Sequence, residues 1–397
     1  LAAEAPEAVF RAETEGDRWA GRRQPMTELG DHLQASAKVP PVWLVRIISG
    51  FRDFLEKFRR KLAPPHVALL EMSLSFWYTQ AIFVAAKLGV ADHLKCGPRS
   101  IVELATATRA HAPSLYRLMR ALASIGVFAE DKSGRFALTP MAECLRPDAP
   151  NSVCAVAIMT GEDWWWKAWG QILHSVETGK SSFQHVHGMR FFEYMTKNPK
   201  AGAIFDRAMA TYTSQTGAQV AAAGPFSKAR IVVDVGGGHG ALIAAVLRRY
   251  PDIQGINFDM PATVEAAKGF LESQRLLNRC RVLGGDFFES VPEGGDIYFL
   301  QHVLHDWDDE NADRILRNCH RAMPPDAKLL LVEMVMPSGN KPFLGKFLDL
   351  GVLMMENGAR ERTEVEYRDL LSEAGFDVTK IIPLPSPDSL IQAAPRA

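Results

Sequence analysis

Apolar positions recur at helical spacing between Trp43 and Leu62, where Trp43, Ile47, Phe51, Phe54, Leu55 and Phe58 are interleaved with Arg and Lys. The spacing predicts an amphipathic helix over 43–62, punctuated by Pro40-Pro41 before it and Pro64-Pro65 after it. Asp53 and Glu56 dilute its basic charge, so its apolar face reads as packing on another subunit or domain rather than on a membrane. Residues 1–40 are polar and weakly patterned, and read as a flexible arm. From Val67 to Leu94 the pattern is apolar nearly all round, which predicts a helix buried between chains or layers. Ser100-Ile101-Val102-Glu103 then forms a capping box. A second helix begins near Pro113, carries Leu115, Leu118, Met119, Leu122 and Ile125 on one face, and ends at Gly126. Val127–Glu130 and Arg135–Thr139 flank the turn Asp131-Lys132-Ser133-Gly134, a hairpin. Helix, helix, hairpin is a winged-helix pattern.

The period changes again after residue 150. Residues 151–226 read as a helical region dense in Trp164, Trp165, Trp166, Trp169, Phe191, Phe192, Tyr194, Met195, Phe205, Met209 and Tyr212. Such residues form a core, or line a pocket for a flat apolar ligand. From 230 onward strands and helices alternate. The strands are 231–235, 255–259, 281–284, 296–301, 328–334, 377–382 and 389–393, and the helices lie near 240–249, 261–274, 309–323 and 363–374. This implies an α/β fold with a parallel sheet covered on both faces. The last two strands are joined by Pro-Ser-Pro, which predicts a terminal antiparallel hairpin.

Composition narrows this picture. At 397 residues the chain has room for two or three domains. A net charge of -1 gives no general case for nucleic acid or membrane binding. Five scattered cysteines without a C-x-x-C pair point to reduced thiols in a cytoplasmic protein.

The chemistry gathers around Ile231-Val232-Val233-Asp234-Val235-Gly236-Gly237-Gly238-His239-Gly240, a strand ending in a glycine-rich turn before a helix. Four glycines in five residues exceed what a plain turn needs, and they let a ligand approach the backbone. Gly236, Gly238 and Ala241 fit a dinucleotide pattern. Asp234 with Gly236, Gly238 and Gly240 fits the D-x-G-x-G-x-G form that binds S-adenosylmethionine (SAM). Both readings call for an acid ending the next strand, and Asp259 supplies it. Asp286-Phe287, closing the third strand, tilts the choice toward SAM, since an acid and an aromatic there suit an adenine ring. His305, just past a strand's carboxyl end, is a candidate general base. Glu333 and Glu361 are carboxylates able to converge on it. His302 reads as structural. Asp308, Asp309, Glu310 and Asp313 read as favouring a helix start rather than as a metal cluster.

The segments DVGGGHG, GINFDMP, GGDFFESVP, LQHVLHDWDDE, LLLVEMVMP and RERTEVEYRDLLSEAGF stand together in an order that resembles the SAM-dependent small-molecule O-methyltransferases. That family includes plant caffeate and flavonoid enzymes, acetylserotonin O-methyltransferase and bacterial natural-product enzymes. The resemblance covers residues 66–394. It implies a Rossmann-like sheet of seven strands after a winged-helix dimerisation domain. The division is an N-terminal extension at 1–65, the dimerisation domain at 66–150, a helical lid at 151–228 and the SAM-binding catalytic domain at 229–397. It further implies that Gly236, Asp259, Asp286, Phe287, Gln301 and Thr213 contact SAM, that His305 is the base, and that Glu333 and Glu361 hold it. Plant members carry Lys where this chain has Gln301. A hydroxylated aromatic acceptor, a homodimer and no metal follow from the same resemblance. Asp306, Trp307, Met209, Met354 and Trp165 are the candidate acceptor contacts. Three rivals remain at this level: a relative that binds SAM for non-methylating chemistry, a winged-helix DNA-binding regulator, and a nicotinamide dehydrogenase.

Overall fold

The computed structural model describes residues 41–396, so the arm read over 1–40 lies outside the described residues. Helix α1 (Val42–Leu62) leads through Ala63-Pro64 into α2 (Pro65–Ser73) and α3 (Phe76–Lys87). The single helix expected over 67–94 is therefore broken. Leu74 and Ser75 interrupt it once, and Gly89, in the left-handed conformation at φ 64°, interrupts it again. Strand β1 (Arg99–Ser100), helices α4 (Ile101–Thr108) and α5 (Ala112–Ser124), and the hairpin β2 (Phe128–Glu130) with β3 (Arg135–Leu138) follow. The three strands form a small sheet in the order β1-β3-β2. The capping box at Ser100 and Glu103 is present as read from the sequence. Leu115, Met119 and Leu122 bury one face of α5 against Phe128, Phe136 and Ala85.

The other face of this region has no cover within the chain. Leu69, Leu70, Met72, Phe76, Trp77 and Tyr78 stay 46–65% exposed, and neither α1 nor α2 buries a single residue. By length and composition alone the stretch Pro65–Lys87 would suffice to cross a membrane, and of its residues only Ala85 and Ala86 are buried in the chain. The burial expected of the 67–94 segment is thus met only on its inner side.

Short helices from Pro140 to Lys197 build the aromatic cluster of Trp164, Phe183, Phe191 and Met195. The long helix α6 (Pro199–Ala223) joins that cluster to the second body. There the chain forms β4 (Ile231–Val235), α7 (Ala241–Arg249), β5 (Gln254–Asp259), α8 (Pro261–Ser273), β6 (Cys280–Gly284), β7 (Ile297–Gln301), α9 (Asp309–Ala322), β8 (Lys328–Glu333), α10 (Gly345–Met355), α11 (Glu364–Glu373), β9 (Phe376–Pro383) and β10 (Ser389–Pro395). The seven strands lie in the order β6-β5-β4-β7-β8-β10-β9. All are parallel as far as β8, and both pairings of β10 are antiparallel. The β-branched and leucine runs divide by alternation. Val233, Tyr298, Leu300, Leu329 and Leu331 face α9 and α11, whereas Val232, Phe299, Leu330 and Val332 face α7, α8 and the end of α6. Burial on both faces explains why these strands read as continuous apolar runs.

The topology reverses at β4. The chain moves outward to β5 and β6, then returns to the far side of β4 as β7. Loops after β4 and β7 therefore diverge and leave a crevice at the strands' carboxyl ends. Helix α10 has no counterpart in the sequence reading; its end packs Met354 and Met355 into the aromatic cluster.

The capping box at α11 is complete, Thr363 Oγ1 accepting from the Glu366 backbone N–H while Glu366 accepts from the Thr363 N–H. Thr363→Ala is expected to cost about 1 kcal/mol of stability. A denaturant midpoint lowered with an unchanged slope is the result that checks it.

Candidate active site

The glycine turn after β4 is shaped by contacts that leave no room for side chains on one side and open space on the other. Gly236, Gly238 and Gly240 all have positive φ, at 72°, 53° and 83°. A Cβ on Gly236 would stand 2.8 Å from Val303 Cγ2, and one on Gly237 2.3 Å from Asn257 Oδ1. A Cβ on Gly238 would meet nothing within 4 Å, so this part of the backbone faces the crevice. Asp259, at the end of β5, accepts from the Gly238 N–H at 2.8 Å and from the Met260 N–H at 2.7 Å. Burial raises its carboxyl above the ordinary range, and these N–H groups work against that.

Asp234 is 1% exposed, and its carboxylate lies against Gly237 beside Asn257. Burial, with the Asp259 charge adding to it, drives its carboxyl well upward.

Three further residues border the crevice. Phe287 packs against the turn, its Cε1 lying 3.7 Å from the point a Gly236 Cβ would occupy. Its ring meets Phe288 edge-on at 4.9 Å, and Asp286 Oδ1 holds the Phe288 N–H at 2.8 Å. Gln301, the last residue of β7, has both ends of its amide buried with no partner in the protein. A buried amide without partners is costly. Its neighbourhood is the kind that a polar ligand completes. Thr213 lies half-buried on α6. The His239 ring approaches Asp206 of the same helix at 3.7 Å, joining the turn to α6.

His305 follows β7 in a single helical turn, Leu304–Asp306, and is buried. Its Nδ1 is 2.8 Å from Glu361 Oε1 and 3.7 Å from Glu333 Oε2, while Nε2 is 3.5 Å from Asp306 Oδ1. The short contact fixes Nδ1 as a donor to Glu361 and leaves Nε2 as the nitrogen that gains or loses a proton. Burial alone would lower the imidazole's affinity for a proton. The Asp306, Glu361 and Glu333 charges outweigh burial and raise its pKa to about 10. Burial in turn pushes the carboxyl of Asp306 up to about 6. Glu333 divides its work: Oε1 accepts from the Leu304 and Val303 N–H groups at 3.0 and 3.3 Å, and only Oε2 faces the ring. Its carboxyl is also raised, first by burial.

Two residues central to this geometry were invisible in the sequence reading. Arg362, fully buried, donates to the carbonyls of Leu304 and Trp307 at 2.7 and 2.8 Å and to Asp309 Oδ1. It clamps both sides of His305. Asp349, on α10, accepts from the Glu361 N–H at 2.8 Å and sets that carboxylate's approach. The neighbouring pair Arg360-Arg362 around Glu361 was a signal that could have drawn notice to the clamp.

The candidate acceptor residues scatter. Trp307 is wedged between Phe287 and Phe288 on one side and Phe192 on the other, with Arg190 5.5 Å above its ring. Arg190 is held there by Glu356 at 3.2 Å. Asp306, Met209 and Trp165 are half-buried around the same region. Met354 is fully buried inside the aromatic cluster that also includes Trp165 and Met209, and Ser181 Oγ donates to its carbonyl.

The model of the O-methyltransferase domain matches residues 169–377, and the model of the O-methyltransferase dimerisation domain matches residues 70–148. The chain belongs to the SAM-dependent O-methyltransferases. The phenazine O-methyltransferase of Lysobacter antibioticus is 44% identical over 340 residues, covering 86% of this chain and 99% of that protein. The mitomycin biosynthesis 6-O-methyltransferase of Streptomyces lavendulae is 42% identical over 311 residues, covering 77% and 88%. Among solved structures, LaPhzM superposes with a TM-score of 0.81 at 44% identity, over 84% of this chain and 100% of its own. The nucleotide-type ligand of the glycine turn is SAM, and the dehydrogenase reading falls. The matched N-terminal module is one of dimerisation.

Arg362→Met would leave the Trp307 carbonyl unpaired and leave the Leu304 carbonyl only the Trp307 N–H. It is expected to cost about 2–4 kcal/mol and to slow turnover in the protein that remains folded. Thermal melts and steady-state rates on the same preparation test both parts.

Proposed function

We propose that this methyltransferase acts on a hydroxyl of a flat aromatic or polyketide-derived molecule, with His305 as general base and Glu361 and Glu333 as the carboxylates that orient it. The observation that carries this reading is the 2.8 Å contact of His305 Nδ1 with Glu361, which directs the free Nε2 lone pair outward from the carboxylate that fixes the ring. Bound at the glycine turn, SAM supplies a methyl group activated by its sulfonium. The chain's residues do the rest. The backbone at Gly236, Gly238 and Gly240 allows close approach, and Asp259, Asp286, Phe287, Gln301 and Thr213 position the cofactor. Gln301 gains the partners it lacks. His305 Nε2 takes the proton from the acceptor hydroxyl and Glu361 shares the resulting charge, a contribution of roughly 10²–10⁴-fold. Alignment of acceptor oxygen and methyl supplies most of the remainder.

The acceptor class rests on the site's wall and on the relatives, whose names specify a phenazine and a mitomycin. Trp307 offers a flat surface, Met209 and Trp165 adapt to ring edges, and Asp306 borders the reacting hydroxyl. We assign residues 1–65 to an extension, 66–150 to dimerisation, 151–228 to a lid over the acceptor, and 229–397 to catalysis. We propose a cytoplasmic location, a reading supported by five scattered cysteines without a C-x-x-C pair.

Methyl-labelled SAM, offered with a panel of phenols, hydroxyquinones and hydroxyphenazines, tests the reaction. Labelled product from the wild type, with a rate lower by about 10²–10⁴-fold in His305→Ala, is expected. Full activity in His305→Ala would refute the base. SAM bound without transfer to any acceptor would favour a non-methylating relative.

The homodimer reading has its own test. The uncovered apolar face of α1, α2 and α3 is assigned to the second copy. Phe51 and Phe54 stand on it, each 60% exposed. Phe51→Glu with Phe54→Glu is expected to convert dimer to monomer in sedimentation runs at dilute protein. An unchanged dimer, with wild-type protein floating on anionic vesicles, would assign the face to lipid instead.

A further inference from the structure

A second histidine stands beside the base, and nothing above gives it a role. His302 follows directly on β7 with φ 52°, in the left-handed region. The other non-glycine residues with positive φ, Arg109 and Arg275, lie where a helix has just ended, at α4 and α8. His302 has no such excuse. Its backbone N–H donates to the Val332 carbonyl at 3.1 Å, which locks the conformation against β8. Its ring lies 5.1 Å from the ring of His305.

The far side of the His302 ring is held by a buried acid. Nε2 is 3.1 Å from Asp388 Oδ1, and Asp388 is 4% exposed. Asp388 Oδ2 accepts from Thr216 Oγ1 of α6 at 2.9 Å and from Ser386 Oγ at 3.0 Å. The Ser386 N–H in turn donates to Gln219 Oε1, also on α6, at 2.8 Å. The turn between β9 and β10 is thereby pinned to the helix that carries Met209 and Thr213. A carboxylate buried with two hydroxyl donors and one imidazole is built to stay ionised, and an ionised acid at 3.1 Å favours the imidazolium. Burial works against charge on His302, and the Asp388 bond and charge overcome it, so its pKa lies above the ordinary value. That of Asp388 lies below its own, burial being outweighed by His302, Thr216 and Ser386.

His305 has the opposite problem. Three carboxylates face it, Glu361 before α11, Glu333 at the end of β8 and Asp306 on its own turn, and together they favour a proton that a base must release. Arg362 holds the carbonyls on either side of the turn, and the ring beside the base is His302, which itself faces Asp388, His305 and Glu333. Charge on either ring disfavours charge on the other.

We propose that His302 and Asp388 form a positioning pair for the methyl transfer, an imidazole held against the base by α6 and the β9–β10 turn, which opposes the proton that the three carboxylates favour on His305. The inference rests on His305 being the base.

The test is the pH dependence of kcat/KM for one acceptor at saturating SAM, in wild type, His302→Asn, Asp388→Asn and the double variant. Asn tolerates the left-handed backbone, so His302→Asn removes the ring without straining the turn. Asp388→Asn removes the partner that keeps His302 charged. Each single change lets His305 hold its proton more tightly. The acid limb is expected to move to higher pH by about one unit, a tenfold loss on that limb, with the rate recovering at high pH. The double variant is expected to shift no further. As a direct readout, the His305 ring signal in isotope-labelled protein should titrate at higher pH in both single variants. A limb that stays in place, with activity lowered equally at all pH, would reduce the pair to a structural role and overturn the proposal, as would a shift to lower pH. His305→Ala separates the two readings. If that variant is inactive and the limb of the others is unmoved, only this inference fails. If it is active, the base assignment fails first.

Discussion

Charge held where water does not reach governs the catalytic half of this molecule. His305, Glu333, Glu361 and Arg362 are all buried. Burying an ionic group is costly unless it is paired and hydrogen-bonded. Each of these side chains is therefore matched by a specific group from a distant part of the chain. Glu333 takes the N–H groups that begin the turn, Arg362 takes the carbonyls on either side of the imidazole, and Glu361 takes the imidazole. The ends of β7 and β8 and the start of α11 converge because these groups need one another. The turn carrying the base owes its shape to this matching more than to apolar packing. A change in any member is felt by all of them.

The centre of the sheet was legible because β4, β5, β7 and β8 are mostly buried and an acid, a glycine or an amide stands at or directly after each carboxyl end. Asp259, Gln301 and Glu333 all mark strand ends within a residue of their observed positions. His305, Glu333 and Glu361 stood out for the same reason, since polar groups directly after apolar strands need partners. Asp388 and Arg362 did not. Their partners lie 86 residues away at His302 and 55 residues away at Trp307, and no local pattern records such pairings. The surroundings of Asp234 and Met354 are likewise set by distant packing, not by their place in a motif. Helix α10 escaped notice since Gly345 to Met355 is short, glycine-started and flanked by loops.

The N-terminal region obeys different rules. Its inner face is an ordinary small core, while its outer face spends a long row of aromatic and aliphatic residues on nothing within the chain. The ion pair of Arg59 with Glu71 fixes α1 against α2, so the row is presented by elements already tied together. The dimerisation-domain match begins at residue 70, so helix α1 lies outside it and adds its apolar face to the one that follows.

The last strand of the chain lies between β8 and β9 rather than at the edge of the sheet. Until it has left the ribosome, β9 has no partner and the apolar flank of β8 stays open. Asp388, one residue before that strand, reaches His302 only when the strand is seated. Closure of the sheet and the anchoring of the His302 ring thus arrive together, as one event of folding.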